Sequence, residues 1–277
     1  MKSPPKGKHM AGIIPIAGKD DILGMPWPDC LQPLSPNSTP IERSLHECLI
    51  AGCDSVWVVC NDNSAPIIKK RMGDYALNPE IYEKWHYLRK KEDHKRYVPI
   101  FYVPVDQKDR DRRDSLGWSV LHGSLTAFRV SSNISKWLSP SKYFVSFPYG
   151  IYDPTRLRRS KSKIRSTSSF YSSYGGKTVR DGLYLSFTFN PDDWIHYRRT
   201  IKKMCSGASP ELPLKERWSS KDFTLDKIFN HAKIGVDYIL DIEEYYCFDS
   251  WESLRGYYKS DLDIRKPPKS IIKPYYR

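Results

Sequence analysis

Apolar and polar positions form two kinds of pattern over the first 60 residues. A continuous apolar run at residues 12–16 is typical of a buried parallel strand. After a polar, Pro-rich loop, apolar residues recur at helical spacing over 41–51, and a second apolar run covers 55–60. Thr39 and Pro40 fit the start of that helix, and Gly52 fits its end. The pattern predicts one strand–helix–strand unit, which builds parallel sheet through a right-handed crossover.

The rest of the chain continues this mixture of strand and helix patterns. Further strands are predicted over residues 98–104, 143–147, 182–189, 238–242 and 245–248, and further helices over 66–72, 82–93, 119–131, 191–203, 222–232 and 250–258. Pro99 and Pro104 indicate an edge-like strand at 98–104. Residues 166–176, rich in Ser, Tyr and Gly, are expected to form a mobile loop.

With 277 residues, the chain can bury the core of one large α/β domain. No Gly/Ser-rich linker divides it, so we expect a single domain over 11–260. A disordered basic tail (1–10) and a basic extended tail (261–277) would flank this domain. No apolar run approaches the roughly 20 residues that span a bilayer, and the N-terminus lacks a signal-peptide core. We therefore expect a cytoplasmic protein without membrane contact.

The six cysteines show no Cys-x-x-Cys pair, which favours free thiols over disulfides or zinc ligands. They are Cys30, Cys48, Cys53, Cys60, Cys205 and Cys247.

The net charge of +13 is compatible with a polyanionic partner such as nucleic acid. One basic cluster is followed closely by Phe170, Tyr171 and Tyr174, and basic residues near aromatic ones suit a nucleic-acid backbone with stacked bases. The basic residues of this cluster are Arg156, Arg158, Arg159, Lys161, Lys163 and Arg165. The same composition equally suits a solvated loop, and both interpretations stay open.

The order of these pieces resembles the sugar-phosphate nucleotidyltransferases, which join a nucleoside triphosphate to a phosphorylated sugar. The resemblance covers about residues 11–260. The similar segments are Ile14-Pro-Ile-Ala-Gly18, Pro40-Ile-Glu-Arg-Ser-Leu45, Ala51-Gly-Cys-Asp54, Leu116-Gly117, Gly182-Leu-Tyr-Leu185, Asp222-Phe-Thr-Leu225 and Phe248-Asp-Ser-Trp251.

This resemblance implies a three-layer αβα sandwich with a mixed, mainly parallel sheet. It also implies that a nucleotide or nucleotide-sugar binds the loop after the first strand. Ala17, Gly18 and Lys19 would contact the phosphates there, and Gly117 would lie near the base. A Mg²⁺ ion held by Asp would neutralise charge on the phosphates.

The chemical positions of the family are not matched. Its loop Gly and Arg fall on Asp20 and Ile22, and its Pro-Lys pair falls on Pro28-Asp29. Its two metal carboxylates fall near Tyr149 or Gly150, and near Cys247. The nearest carboxylates that could form a shifted metal set are Asp20, Asp21, Asp153 and Asp249.

Two hypotheses follow. In the first, the chain binds a nucleotide or nucleotide-sugar and is a divergent transfer enzyme that uses Mg²⁺. In the second, it is a catalytically inactive relative that serves as a platform for nucleic acid or a protein partner. The sequence names neither the base, the sugar nor the oligomeric state.

Overall fold

The computed structural model describes residues 9–19, 21–36, 38–79, 97–109, 115–206, 223–230, 237–262 and 264. The predicted helix at 82–93 and most of both predicted tails lie outside these residues. The division into one domain between two tails therefore stays a prediction.

The first strand–helix–strand unit is confirmed. The strands are β1 (Met10–Pro15), β2 (Ser55–Cys60), β3 (Tyr75–Leu77), β4 (Tyr97–Pro104), β5 (Lys142–Val145), β6 (Gly150–Ile151), β7 (Phe170–Ser173), β8 (Phe187–Phe189), β9 (Tyr238–Asp241) and β10 (Tyr246–Cys247). The α-helices are α1 (Pro40–Ala51), α2 (Ala65–Met72), α3 (Leu116–Ile134), α4 (Lys161–Ile164), α5 (Pro191–Ser206), α6 (Leu225–Phe229) and α7 (Trp251–Lys259). Short 3₁₀ helices cover Asp29–Leu31, Lys136–Leu138, Pro154–Ser160 and Val179–Asp181.

The main sheet of the described residues has eight strands in the order β3-β4-β2-β1-β5-β8-β7-β9. Strands β4, β2, β1 and β5 run parallel, and β9 runs parallel to β7. Strand β8 is antiparallel to both of its neighbours, and β3 is antiparallel to β4. Strands β6 and β10 form a separate antiparallel pair. The sheet is mixed and mainly parallel, as expected.

Helices cover both faces of this sheet. The side chains of β1 alternate between the two cores that these helices form with the sheet. Ala11 and Ile13 belong to a core that includes residues of α3. Met10 and Ile14 belong to the opposite core, with the apolar face of α1. Both faces of β1 are therefore buried, which explains its uninterrupted apolar sequence. The three-layer αβα prediction is confirmed.

The expected mobile loop at 166–176 is wrong, because residues 170–173 form the buried strand β7. Its serines find partners on neighbouring strands. Ser172 Oγ lies 2.8 Å from Ser186 Oγ, and Ser173 Oγ donates to Asp241 at 2.9 Å. A strand can carry buried hydroxyl groups when residues on adjacent strands form hydrogen bonds with them.

Two further strand predictions need correction. Strand β4 is not an edge strand, since it pairs with β2 on one side and with β3 on the other. Of the strand predicted at 182–189, only β8 forms, and Gly182 ends a 3₁₀ helix with φ +88°. Within the described residues, no helix is long and apolar enough to cross a membrane.

Candidate functional site

The strand order predicts a crevice where the parallel strands β1 and β5 end. From β1 the chain continues towards β2 on one side, whereas β5 lies on the other side of β1. Such a reversal of strand order opens a gap at the carboxyl edge, where ligands of α/β sheets bind. The loops after these two strands begin at Ile16 and Ser146.

Gly18 brings the loop after β1 against the start of α3. Its φ of +86° is left-handed, and a Cβ at this position would lie 2.3–2.5 Å from the backbone of Ser115. Ser115 caps α3 by accepting a hydrogen bond from the Trp118 amide at 3.2 Å. Ser119 Oγ donates to the Ala17 carbonyl at 2.6 Å. The predicted nucleotide-binding residues Ala17 and Gly18 therefore lie beside the positive end of a long helix.

Gly117 lies in the first turn of the same helix, and a neighbouring side chain fills the space that its own Cβ would take. A Cβ here would be 2.3 Å from Ile228 Cδ1 of α6. Gly117 therefore admits a packed side chain from α6 at this point, and its predicted contact with a base stays a prediction.

The ammonium of Lys19 lies in an aromatic corner. Its Nζ is 4.7 Å from the ring centre of Tyr149 and 5.8 Å from that of Tyr184. Burial lowers the pKa of Lys19, and acidic groups around it act in the opposite direction. Those groups are Cys247, Asp29, Asp249 and Asp21. The Lys19 ammonium thus faces two aromatic rings and is attracted by acidic groups nearby.

Asp21 and Asp29 hold the loop after Lys19 together. Asp29 is 1% exposed, and its carboxylate accepts hydrogen bonds from the amides of Ile22, at 2.7 Å, and Leu23, at 3.4 Å. The Asp29 amide donates to Asp21 Oδ1 at 2.8 Å. Asp29 stands where the similar family has a lysine, and here it closes the loop on itself.

The last helix fastens the following Pro-rich segment. Trp251 Nε1 donates to the Leu23 carbonyl at 3.1 Å. Tyr257 donates to the Leu34 carbonyl at 3.2 Å, and Tyr258 donates to the Pro33 carbonyl. The loop that borders Lys19 is therefore held by α7, which is distant in sequence.

Tyr149 and Cys247 stand near the positions at which the resemblance places metal carboxylates. Tyr149 is buried and donates to the Ile16 carbonyl at 3.3 Å, while its ring meets Tyr184 edge-on at 5.8 Å. Cys247 lies opposite Gly150 across the β10–β6 pair. Burial, aided by a hydrogen bond with Asp249, raises the pKa of Cys247 to about 12. The thiol is therefore neutral at pH 7.

A buried ion pair supports the turn after β5. Arg43 and Glu47 of α1 are 1% and 0% exposed, with Nη1 3.2 Å from Oε2. Arg43 also donates to the Phe147 carbonyl at 2.6 Å. Glu47 accepts from Tyr152 at 2.6 Å and from Ser146. The pair connects α1 to residues 146–152, the segment that follows β5.

Solved structures share this architecture. Rv0371c from Mycobacterium tuberculosis H37Rv matches with a TM-score of 0.51 and 15% identity, covering 92% of this chain and all of that one. A Bacillus anthracis protein assigned as a glucose-1-phosphate thymidylyltransferase matches with a TM-score of 0.57 and 10% identity over 94% and 98% of the two chains. A UDP-glucose pyrophosphorylase matches with a TM-score of 0.52 and 14% identity over 91% and 98%. No family model and no curated protein matches the sequence.

The chain has the nucleotidyltransferase fold. Identities of 10–15% support the fold alone. On a shared fold, the activity depends on the residues at the site itself.

Two of the predicted metal ligands, Asp153 and Asp21, accept hydrogen bonds from the protein itself. Asp153 caps a 3₁₀ helix, accepting from the Thr155 amide at 2.9 Å and from its hydroxyl at 2.5 Å. Asp21 accepts from the Asp29 amide. Within the described residues, His, Cys, Asp and Glu side chains form no group of three that could hold a metal. Asp20 lies outside the described residues, so the predicted set with Asp249 stays a prediction.

The basic cluster of residues 156–165 packs against the end of α1. Arg165 donates to the Gly52 carbonyl and forms an ion pair with Asp54 at 3.2 Å. The stem of Lys161 also packs on Gly52. Cations at the negative end of a helix are stabilising, so these two residues have a structural role in the fold.

The other predicted nucleic-acid contacts are more accessible. Arg158 and Arg159 are exposed, Arg156 forms an ion pair with Glu243, and Lys163 lies 4.2 Å from the ring centre of Tyr238. The suggested stacking on residues 170 and 171 is wrong, because both side chains are buried in β7. Binding of nucleic acid by the basic residues stays a prediction.

Nothing in the sequence indicates that Tyr184 lies beside Lys19, that Asp29 is buried, or that α7 holds the Pro-rich loop. The pattern of residues 182–185 predicts part of a strand, whereas in the structure the Tyr184 ring lies beside Lys19. A lone Asp in a Pro-rich loop carries no local signal for its burial. These contacts join segments that are distant in sequence and become visible only in the folded chain.

Proposed function

We propose that this chain binds a nucleotide or nucleotide-sugar in the crevice at the ends of β1 and β5. The observation that carries the proposal is the position of Lys19. Its ammonium lies beside Tyr149 and Tyr184, at the edge where ligands of parallel sheets bind. An ammonium in a partly dehydrated, aromatic setting attracts a phosphate more strongly than one in open water.

The surrounding backbone suits the same ligand. Gly18 packs against the N-terminus of α3, whose dipole favours a negative group. The aromatic rings of the site could also face a base or a sugar. The proposal allows a divergent nucleotidyl transfer at this position, and the same protein preparation can test that reaction.

Calorimetric titration with each nucleoside triphosphate and with nucleotide-sugars tests binding directly. Lys19→Met should weaken binding by about tenfold or more, since hydrogen bonds to charged groups contribute roughly 1.5–3 kcal/mol. Lys69→Met is the matched control, because Lys69 also lies near a ring, Tyr102, but is a surface residue paired with Asp74. Absence of binding for every ligand would refute the proposal. Pyrophosphate release with sugar phosphates then tests for transfer.

A second candidate function is nucleic-acid binding by the exposed Arg158 and Arg159. Each phosphate contact makes the logarithm of the binding constant fall with the logarithm of salt concentration, with a slope of about −0.9 for duplex DNA. Changing both arginines to Ala should weaken binding uniformly across sequences and reduce that slope by about 2. Binding that ignores salt would exclude phosphate contacts.

A further inference from the structure

The ammonium of Lys19 makes no hydrogen bond or ion pair with any residue of the described chain. It faces the aromatic rings of Tyr149 and Tyr184, and the acidic groups around it act on it through space without a direct hydrogen bond. An ammonium has three N–H donors. Those donors are therefore available to an acceptor that enters the crevice.

The nearest loop carboxylates are occupied by backbone amides. Asp29 accepts from Ile22 and Leu23, and Asp21 accepts from Asp29 itself. Asp29 is also almost completely buried. Asp29 therefore could not turn towards a cation without breaking the hydrogen bonds that close the loop.

The ammonium also lies near the positions at which the family resemblance places metal carboxylates. Tyr149 follows β5, and Cys247 faces Gly150 across the neighbouring strand pair. Lys19 is beside the Tyr149 ring and within electrostatic range of the Cys247 thiol. Phenol and neutral thiol are poor ligands for Mg²⁺, which prefers carboxylate and water oxygens. A second cation so close to an ammonium would in addition be repelled.

We propose that the ammonium of Lys19 takes the place of a divalent cation in this crevice and contacts a phosphate group of the bound nucleotide directly. This inference rests on the proposed nucleotide binding. Its particular content is that binding needs no metal ion. The aromatic rings exclude water from two sides of the ammonium, which strengthens its attraction to a phosphate.

The test is calorimetric titration of the intact protein with nucleoside triphosphates and with tripolyphosphate, in EDTA and in Mg²⁺. Tripolyphosphate carries the phosphates without a base, and so isolates the contact assigned to Lys19. We expect dissociation constants in EDTA that are equal to or lower than those in Mg²⁺. Lys19→Met should lose about tenfold or more in EDTA for both ligands, and Lys69→Met should lose nothing.

Lys19→Arg provides a second variant, since it keeps the charge and the donors. It should retain most of the binding in EDTA. Melting curves without ligand check that each variant is folded. If Lys19→Met does not fold, the comparison of Lys19→Arg and Lys19→Gln tests the charge instead.

The outcomes separate this inference from the proposed function. Binding that requires Mg²⁺ would overturn the inference and leave the proposed function intact. Binding in EDTA that survives loss of the Lys19 charge would likewise overturn it, because the phosphate would lie elsewhere. Failure of every nucleotide and nucleotide-sugar to bind, with or without metal, would overturn the proposed function itself.

Discussion

Removal of Glu47 should expose how much the buried ion pair contributes to stability. Glu47→Ala removes the acceptor of Arg43 Nη1, of Tyr152 and of Ser146 together. The Arg43 guanidinium would keep Ser44 Oγ, the Phe147 carbonyl and the Tyr152 ring as partners, none of which carries a negative charge. Breaking a buried pair by removal of one partner costs about 3–5 kcal/mol. Domains of this kind are stable by about 5–15 kcal/mol, so this is a large share.

The double variant Arg43→Met/Glu47→Ala should be less destabilised than Glu47→Ala alone. The large cost of the single change comes from a buried charge without its counter-ion, and the second change removes that charge. The Asp74→Ala variant is the control. Its partner Lys69 lies 3.1 Å away with 56% and 60% of the two side chains exposed, and exposed pairs contribute at most about 1 kcal/mol.

Urea unfolding followed by tryptophan fluorescence and circular dichroism supplies the measurement. Unchanged m-values would show that midpoints report stability rather than altered compactness. If the double variant loses as much as the two single changes combined, the buried charge is not the source of the cost. If Glu47→Ala resembles Asp74→Ala, the pair is not buried as described.

Three further predictions concern local features. Gly18→Ala should displace the loop after β1 and abolish nucleotide binding, because its Cβ would meet the Ser115 backbone; Gly175→Ala, also at positive φ but with open space, should cost only about 1 kcal/mol. Crystal structures or amide exchange of both variants would reveal whether the loop moved. Lys142→Met should destabilise by about 3 kcal/mol or more, as its buried ammonium donates to three carbonyls at 2.6–2.7 Å; unfolding midpoints that match the native chain would contradict this. Burial lowers the pKa of His9, so the unfolded chain takes up a proton near pH 6.5 before the folded one does. Stability should therefore fall as pH decreases below about 6.5, and His9→Gln should flatten that part of the melting profile.

The first half of the fold could be predicted because its signals are local. Helix α1 has a proline at its first position, a regular apolar face and Gly52 at φ +86° beyond its end. Strand β1 is buried on both faces, so its sequence is apolar throughout. Each of these features is visible within about a dozen residues.

Strand β7 could not be predicted because its stability depends on distant partners. Ser172 and Ser173 are polar residues, and only Ser186 and Asp241 on the neighbouring strands make their burial tolerable. Local composition therefore indicated a loop. For the same reason, local composition suggests Phe170 and Tyr171 for stacking with bases, whereas both side chains are buried.

The sequence predicts which loop would bind a ligand but not the side chains around it. A site at the loop after β1 follows from the strand–helix–strand pattern and from the family resemblance. The environment of Lys19 does not, because Tyr149, Tyr184 and Cys247 come from three separate segments. Side-chain convergence of this kind requires the tertiary structure.

The contacts of α7 with the Pro-rich loop can form only late in synthesis of the chain. The hydrogen bonds of Trp251 and Tyr257 to Leu23 and Leu34 join residues 228 and 223 positions apart. A nascent chain can pair β1, β2, β4 and β5 long before α7 is synthesised, since these strands all come early. The loop beside Lys19 emerges among the first residues and is among the last to be fastened. A chain released before residue 251 would hold much of its sheet and leave the ligand loop without its support.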